Sequence, residues 1–193
     1  MVSEPGKVFV ITGPSGVGKG TLISKLLEAV PELELSVSAT TRAPRTGEED
    51  GREYHFLSQG DFEHRVSEGE FLESATYSGN RYGTLRSAVD ERLAAGKSVV
   101  LEIELQGARQ VRKAKPEAVL IFIAPPDPGA LRERLRERGT DSEEAIESRL
   151  QTAEGELAAQ DEFSYKVVND DVQKAASELE QLVRAELPLH SDE

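Results

Sequence analysis

Gly13-Pro14-Ser15-Gly16-Val17-Gly18-Lys19 is the stretch of this 193-residue chain whose residue types and spacing say most about chemistry. It matches the first seven positions of the phosphate-loop pattern. In that pattern glycines let successive backbone N–H groups turn inward around phosphate oxygens, and a lysine adds a point charge. A second concentration of cations lies at Leu131-Arg132-Glu133-Arg134-Leu135-Arg136-Glu137-Arg138. Leu131 and Leu135 fall one helical turn apart there, Arg134 and Arg138 stack on a neighbouring face, and Arg149 follows on a further helical stretch. Arginines carried this way suit a transfer that spreads negative charge over phosphoryl oxygens and must exclude water as it proceeds. Arg132 and Arg136 read instead as solvated helix positions beside glutamates.

The elements that must hold these residues are legible around them. Val8 to Ile11 is a short apolar run ahead of the glycine loop, and Leu22, Leu26 and Leu27 after it recur at helical spacing, giving strand, loop and helix. The helix N-terminus adds its own positive end to the loop. Val99 to Ile103 and Ala118 to Ala124 are apolar without alternation, as expected of strands covered on both faces of a parallel sheet. Tyr165 to Val168 reads as a last short strand and Val172 to Leu187 as a closing helix, with Ala176, Leu179, Leu182 and Val183 as its apolar stripe. Between Ser38 and Lys97 the texture changes to two short strands, Tyr54 to Leu57 and Phe71 to Tyr77, a turn at Ser78-Gly79-Asn80, and a helix from Leu85 to Ala95 stopped by Gly96. A charged helical insertion runs from Asp127 to Gln160, broken at Gly139-Thr140. Insertions on an open α/β sheet usually sit at the carboxyl ends of its strands, where ligands bind.

Composition narrows the possibilities. There are no cysteines, so disulfides and thiolate metal sites are excluded, and His55, His64 and His190 show no ligand spacing, so a metal would be oxygen-bound. The formal charge of −13 argues against a general nucleic-acid binder and requires any anionic ligand to meet locally concentrated cations. No apolar run reaches bilayer-spanning length, and Met1 to Gly6 has neither a basic stretch nor an apolar signal region, so no membrane partner and a cytoplasmic location are expected.

Downstream of the loop stand Ser36-Val-Ser-Ala-Thr-Thr-Arg42-Ala-Pro-Arg45, Gly51-Arg-Glu-Tyr54, Glu73, and Tyr77-Ser-Gly-Asn-Arg-Tyr82-Gly-Thr84. With these the chain resembles guanylate kinases over nearly its whole length. The resemblance implies an α/β fold: a P-loop NTPase three-layer core with a parallel sheet (residues 1–37, 98–126 and 161–187), an inserted mixed α/β GMP-binding lobe (38–97), a helical lid (127–160) and an acidic tail (188–193). It implies transfer of the γ-phosphoryl group of ATP to GMP, and to dGMP, with Mg²⁺, in purine nucleotide metabolism and GMP recycling.

On the acceptor side Arg42 and Arg45 would each offer a guanidinium fork to a monophosphate, with the Tyr54 and Tyr82 hydroxyls completing the shell. Guanine presents N1–H and an exocyclic amine side by side, and the Glu73 carboxylate can accept both, whereas adenine offers no such pair. Ser38 and Thr84 match the family's small hydroxyl contacts to the base. In Glu102-Ile-Glu104 strand alternation puts both carboxylates on one face. By resemblance Glu104 takes the guanine side and Glu102 the phosphate and Mg²⁺ side, through water; both stand where the family more often has Asp.

On the donor side Gly13 to Lys19 with Gly20 and Thr21 would hold ATP. Gly20 occupies the place where Ser or Thr usually meets Mg²⁺. Gly-Lys-Gly-Thr resembles the loop of adenylate kinases, so Thr21 is expected on phosphate rather than on the metal. Asn169, at a strand end, matches a position that contacts the adenine of ATP, though a strand-end asparagine is also a common turn former. Arg134, Arg138 and Arg149 match the family's lid arginines, and with Lys19 and Arg42 they make up the expected catalytic set. Two other classes share parts of this pattern: a non-catalytic guanylate-kinase-like domain that binds phosphopeptides with the arginine cup, and a kinase for another small acceptor such as AMP or a sugar phosphate.

Overall fold

The computed structural model describes residues 5–77, 79–137, 139 and 142–188. In chain order the elements are β1 (Val8–Thr12), α1 (Lys19–Ala29), β2 (Leu33–Leu35), β3 (Ala39–Thr40), β4 (His55–Phe56), α2 (Gln59–Ser67), β5 (Phe71–Tyr77), β6 (Asn80–Leu85), α3 (Arg86–Ala94), β7 (Ser98–Glu102), α4 (Leu105–Ala114), β8 (Val119–Ala124), α5 (Pro128–Glu137), α6 (Glu143–Ala158), β9 (Tyr165–Val168) and α7 (Val172–Glu186).

The unbroken apolar runs become the centre of a sheet ordered β2-β7-β1-β8-β9, in which each neighbouring pair is parallel. Successive residues of β1 point to opposite faces, so Phe9 and Ile11 join the core under α1 and α7, while Val8 and Val10 join a second core under α3 and α4. Both sets are buried, which is why no alternation shows in the sequence. The strands' carboxyl ends place Gly13, Glu102 and Asn169 along one edge of the sheet.

The smaller sheet, ordered β4-β3-β6-β5, departs from the expectation of two strands. β3 and β6 were not expected. β3 is two residues long, and β6 contains Gly83, so neither offers a periodic apolar signal. α2 was also unexpected, although the Ser58 side chain accepts from the Asp61 N–H at 3.1 Å as an N-cap should. Its Phe62 stacks on Phe71 at 4.4 Å, a buried pair whose truncation to alanine costs on the order of 3–5 kcal/mol.

Other differences are local. Strand β7 ends at Glu102, so Glu104 does not share a strand face with it; the Glu104 carboxylate instead caps α4, accepting the N–H groups of Gln106 at 2.9 Å and Gly107 at 2.5 Å. Helix starts leave N–H groups unpaired, and a carboxylate there satisfies two of them. On α7 the fully buried stripe is Ala175, Leu179 and Val183, with Ala176 and Leu182 only partly covered. Gly139 has φ 64° between α5 and α6; Thr140, Ser78 and the tail from residue 189 lie outside the described residues. Among the described residues no helix is long and apolar enough to cross a membrane.

Candidate active site

The loop after β1 wraps the start of α1. Gly18, the N-cap residue, has φ 98°, and a Cβ there would stand 2.6 Å from the Asn169 amide nitrogen, so only glycine fits. No side chain caps α1 and its first turn holds no acidic residue, in contrast to α4 and α7, which Glu104 and Asp171 cap. The positive end of α1 is therefore left to an external anion. Lys19 folds back over the loop, its Nζ donating to the carbonyls of Gly13 at 2.5 Å and Pro14 at 3.2 Å.

Three elements buttress that loop. Asn169 is 2% exposed and its Nδ2 donates to the Val17 carbonyl at 2.8 Å, while its Oδ1 is buried with no hydrogen-bond partner among the described residues. Arg134 on α5 donates to the same Val17 carbonyl at 3.2 Å and to the Asn169 carbonyl at 2.7 Å. Arg149 on α6 reaches the Ser15 hydroxyl at 3.4 Å. Arg138 lies outside the described residues. Arg132 and Arg136 pair with Glu147 and Glu143, each at 2.9 Å, on the exposed side of the helices. Gly20 and Thr21 sit exposed on the first turn of α1.

A cavity of ≈ 340 Å³ opens from this loop toward the smaller sheet. That size falls within the roughly 300–1,000 Å³ of small-molecule sites. Gly13, Ser15 and Lys19 line one end, and Ser38, Tyr54, Glu73 and Tyr82 the other, with Glu102 and Glu104 also on the wall. Arg42 lies beside it, its guanidinium 5.3 Å from the Tyr54 ring centre and bonded to Glu48 at 2.9 Å and the Ala43 carbonyl at 2.8 Å. Arg45 is exposed on the same loop, and its backbone N–H donates to the other Glu48 oxygen at 2.7 Å. The Tyr54 and Tyr82 rings meet edge to face at 6.1 Å, and burial raises the Tyr54 hydroxyl above its ordinary value. Ser38, Tyr54, Glu73 and Tyr82, drawn from distant parts of the sequence, thus meet on one cavity.

Glu73 is 4% exposed at the base of the cavity and accepts from the Thr84 hydroxyl at 2.7 Å. Burial pushes its carboxyl up to about 7; the Thr84 hydrogen bond opposes the rise and the charge of Glu104 adds to it. A buried carboxylate whose hydrogen bonds among the described residues come from Thr84 alone is short of donors, which is the condition of a group built to take them from a ligand.

Sequence reasoning missed two carboxylates. Glu48 forks across the loop of Arg42 and Arg45, and its acid is held low by the Arg42 hydrogen bond first and the Arg45 backbone N–H second. Glu156 of α6 lines the cavity opposite the loop, and burial lifts it to about 7, with Lys19 opposing and Glu104 adding. Glu156 sits in a run of helix with other acids, and no local pattern separates it from Glu154.

Comparison with known proteins bears on this arrangement. The family model described as guanylate kinase matches residues 5–186. The guanylate kinase of Rubrobacter xylanophilus is 55% identical over 179 residues, covering 93% of this chain and 94% of that protein. That of Trichormus variabilis is 57% identical over 175 residues, covering 91% of this chain and 88% of that protein. The crystal structure of guanylate kinase from Anaplasma phagocytophilum matches with a TM-score of 0.77 at 32% identity, over 99% of this chain and 90% of that one. A phosphate loop joined by one cavity to a buried carboxylate, and likeness at this level over nearly the whole length, give one conclusion: the chain belongs to the guanylate kinase family.

Proposed function

We propose that the chain transfers the γ-phosphoryl group of ATP to GMP, and to dGMP, yielding ADP and the nucleoside diphosphate. The observation that carries this is the single cavity running from Lys19 and Ser15 to the buried Glu73–Thr84 pair, with a cation-bearing loop at its side. A donor polyphosphate seats on the amides of Gly13 to Thr21, with Lys19 exchanging its bonds to its own loop for phosphate oxygens. The unpartnered Oδ1 of Asn169 supports a contact to the exocyclic amine of adenine.

The acceptor phosphate is gripped by Arg42 and Arg45 with the Tyr54 and Tyr82 hydroxyls, and its arrival displaces Glu48 from Arg42. Glu73 accepts guanine N1–H and the amine, with Ser38, Thr84 and Glu104 around the base. An acceptor without that donor pair leaves the carboxylate unpaired, which rejects it strongly. A phosphate oxygen of GMP is already a nucleophile, so no general base is required, and rate comes from alignment and charge stabilisation by Lys19, Arg42, Arg134, Arg138 and Arg149.

Mg²⁺ fits the residues present. Glu102 offers one hard oxygen donor on the cavity wall, and among the described residues no group of three or more His, Cys, Asp or Glu could hold a metal. Mg²⁺ is commonly held by one or two carboxylates, waters and substrate phosphates. When bound, it neutralises charge on the donor phosphates.

The test is ATP consumption with Mg²⁺ against GMP, dGMP, AMP, CMP and UMP at matched concentrations. Turnover confined to the guanine nucleotides supports the assignment; equal use of AMP refutes the role of Glu73, and GMP binding without any turnover points to an interaction domain.

A further inference from the structure

We propose that Gly107, on the first turn of α4, is a specificity-determining residue: the absence of its side chain is what allows the Glu73 carboxylate to lie where it meets guanine. The inference rests on the reading of Glu73 as the base-recognising group.

A Cβ built on Gly107 would stand 2.6 Å from Glu73 Oε2 and 3.2 Å from its carboxyl carbon, with the Ile103 Cδ1 next at 3.4 Å. The collision is therefore with the carboxylate itself. The room open to Glu73 is the cavity it lines, and moving into it pulls its other oxygen away from Thr84. Nor can α4 simply retreat. Gln110, one turn along, brackets the backbone of Ser74: its Oε1 accepts the Ser74 N–H at 3.0 Å and its Nε2 donates to the Ser74 carbonyl at 2.9 Å. Those bonds pin α4 to β5 at the residue after Glu73. The Gly107 N–H is itself held by Glu104 at 2.5 Å, which fixes the start of the helix. Gly107 has an ordinary helical backbone, so alanine, the better helix former, strains nothing there except the carboxylate.

Gly107 thus acts through Glu73, and its effect falls on the base rather than on the phosphates. Inosine monophosphate separates the two, because it keeps N1–H and lacks the exocyclic amine that GMP gives to the carboxylate. The experiment measures kcat/KM for GMP and for inosine monophosphate, KM for ATP and the melting temperature in Gly107→Ala, Glu73→Asp, the double variant and Glu73→Gln. In Gly107→Ala the GMP-to-inosine-monophosphate ratio falls about tenfold or more, the scale of a lost hydrogen bond to a charged group, while KM for ATP and melting temperature stay near those of the native protein. Shortening residue 73 withdraws the carboxylate from the added methyl, so Glu73→Asp costs less in the Gly107→Ala background than alone. A preserved ratio in Gly107→Ala overturns the proposal, whether turnover is intact or lowered equally for both acceptors. If Gly107→Ala does not fold, the added Glu73→Asp restores folding where the carboxylate is the cause, and failure to restore it overturns the proposal as well. A ratio that Glu73→Gln leaves unchanged defeats the reading of Glu73 itself; a ratio lowered by Glu73→Gln but not by Gly107→Ala defeats only the role of Gly107.

Discussion

Replacing Glu73 with glutamine should make the nucleotide-free protein more stable above neutral pH while weakening its use of GMP. Glutamine keeps the shape of the side chain and an oxygen for the Thr84 hydroxyl, but it has no charge to desolvate. In the native protein burial raises the Glu73 carboxyl from an ordinary 4.5 to about 7. Because the folded-state value lies above the unfolded one, the stability contributed by the protonated acid is complete below 4.5 and is lost as pH rises through about 7. At about 1.4 kcal/mol for each tenfold in proton affinity, the ionised carboxylate costs the fold about 3 kcal/mol at pH 8, and under about 1 kcal/mol at pH 5. For a chain of this size about 3 kcal/mol is worth roughly 6–12 °C in melting temperature. Thermal unfolding of both proteins without nucleotide, at pH 8 and pH 5, measures it. A glutamine variant that melts no higher at pH 8, or whose advantage is the same at both pH values, refutes the argument that Glu73 is held against its own charge.

Three further outcomes follow from the same geometry. With Glu73 as the proposed base reader, guanine is held by the ionised carboxylate, so KM for GMP should rise as pH falls below about 7, approaching tenfold per pH unit, and the Glu73→Gln variant should lack that limb; parallel profiles for the two proteins would remove Glu73 from base recognition. Lys19→Met should lower kcat about a hundredfold or more while shifting the melting temperature by only a few degrees, about 1 kcal/mol, because the methionine keeps the length of the stem and gives up only the ammonium's bonds to the Gly13 and Pro14 carbonyls; near-native turnover would overturn its assigned role. Glu156, raised to about 7 mainly by burial, charges as pH rises and would then face the donor polyphosphate seated as proposed, so KM for ATP should climb through neutrality at saturating GMP. Glu156→Gln should flatten that climb, and identical ATP profiles in the two proteins would show that the carboxylate does not face the donor.

The phosphate loop and the parallel-sheet core were legible in the sequence. Each is encoded by near neighbours: Gly13 to Lys19 by local backbone freedom and charge, β1, β7 and β8 by uninterrupted apolar runs, and the segment from Leu131 to Leu135 by one helical turn. The residues proposed for the acceptor became legible through resemblance to a family, since nothing local separates Arg42 or Glu73 from ordinary loop and strand positions. The state of those residues came from the fold. Glu73 is desolvated because β5, β6 and α4 close over it, with Thr84 and Gly107 arriving from 11 and 34 positions away in the chain. Glu104 left its expected strand because the first N–H groups of α4 needed an acceptor there. Glu156 entered the cavity only when α6 folded back over the loop. Periodicity reports what lies within a turn or a pleat, whereas the charge state of a carboxylate is set by whichever segments exclude its water, and those are brought together by the fold.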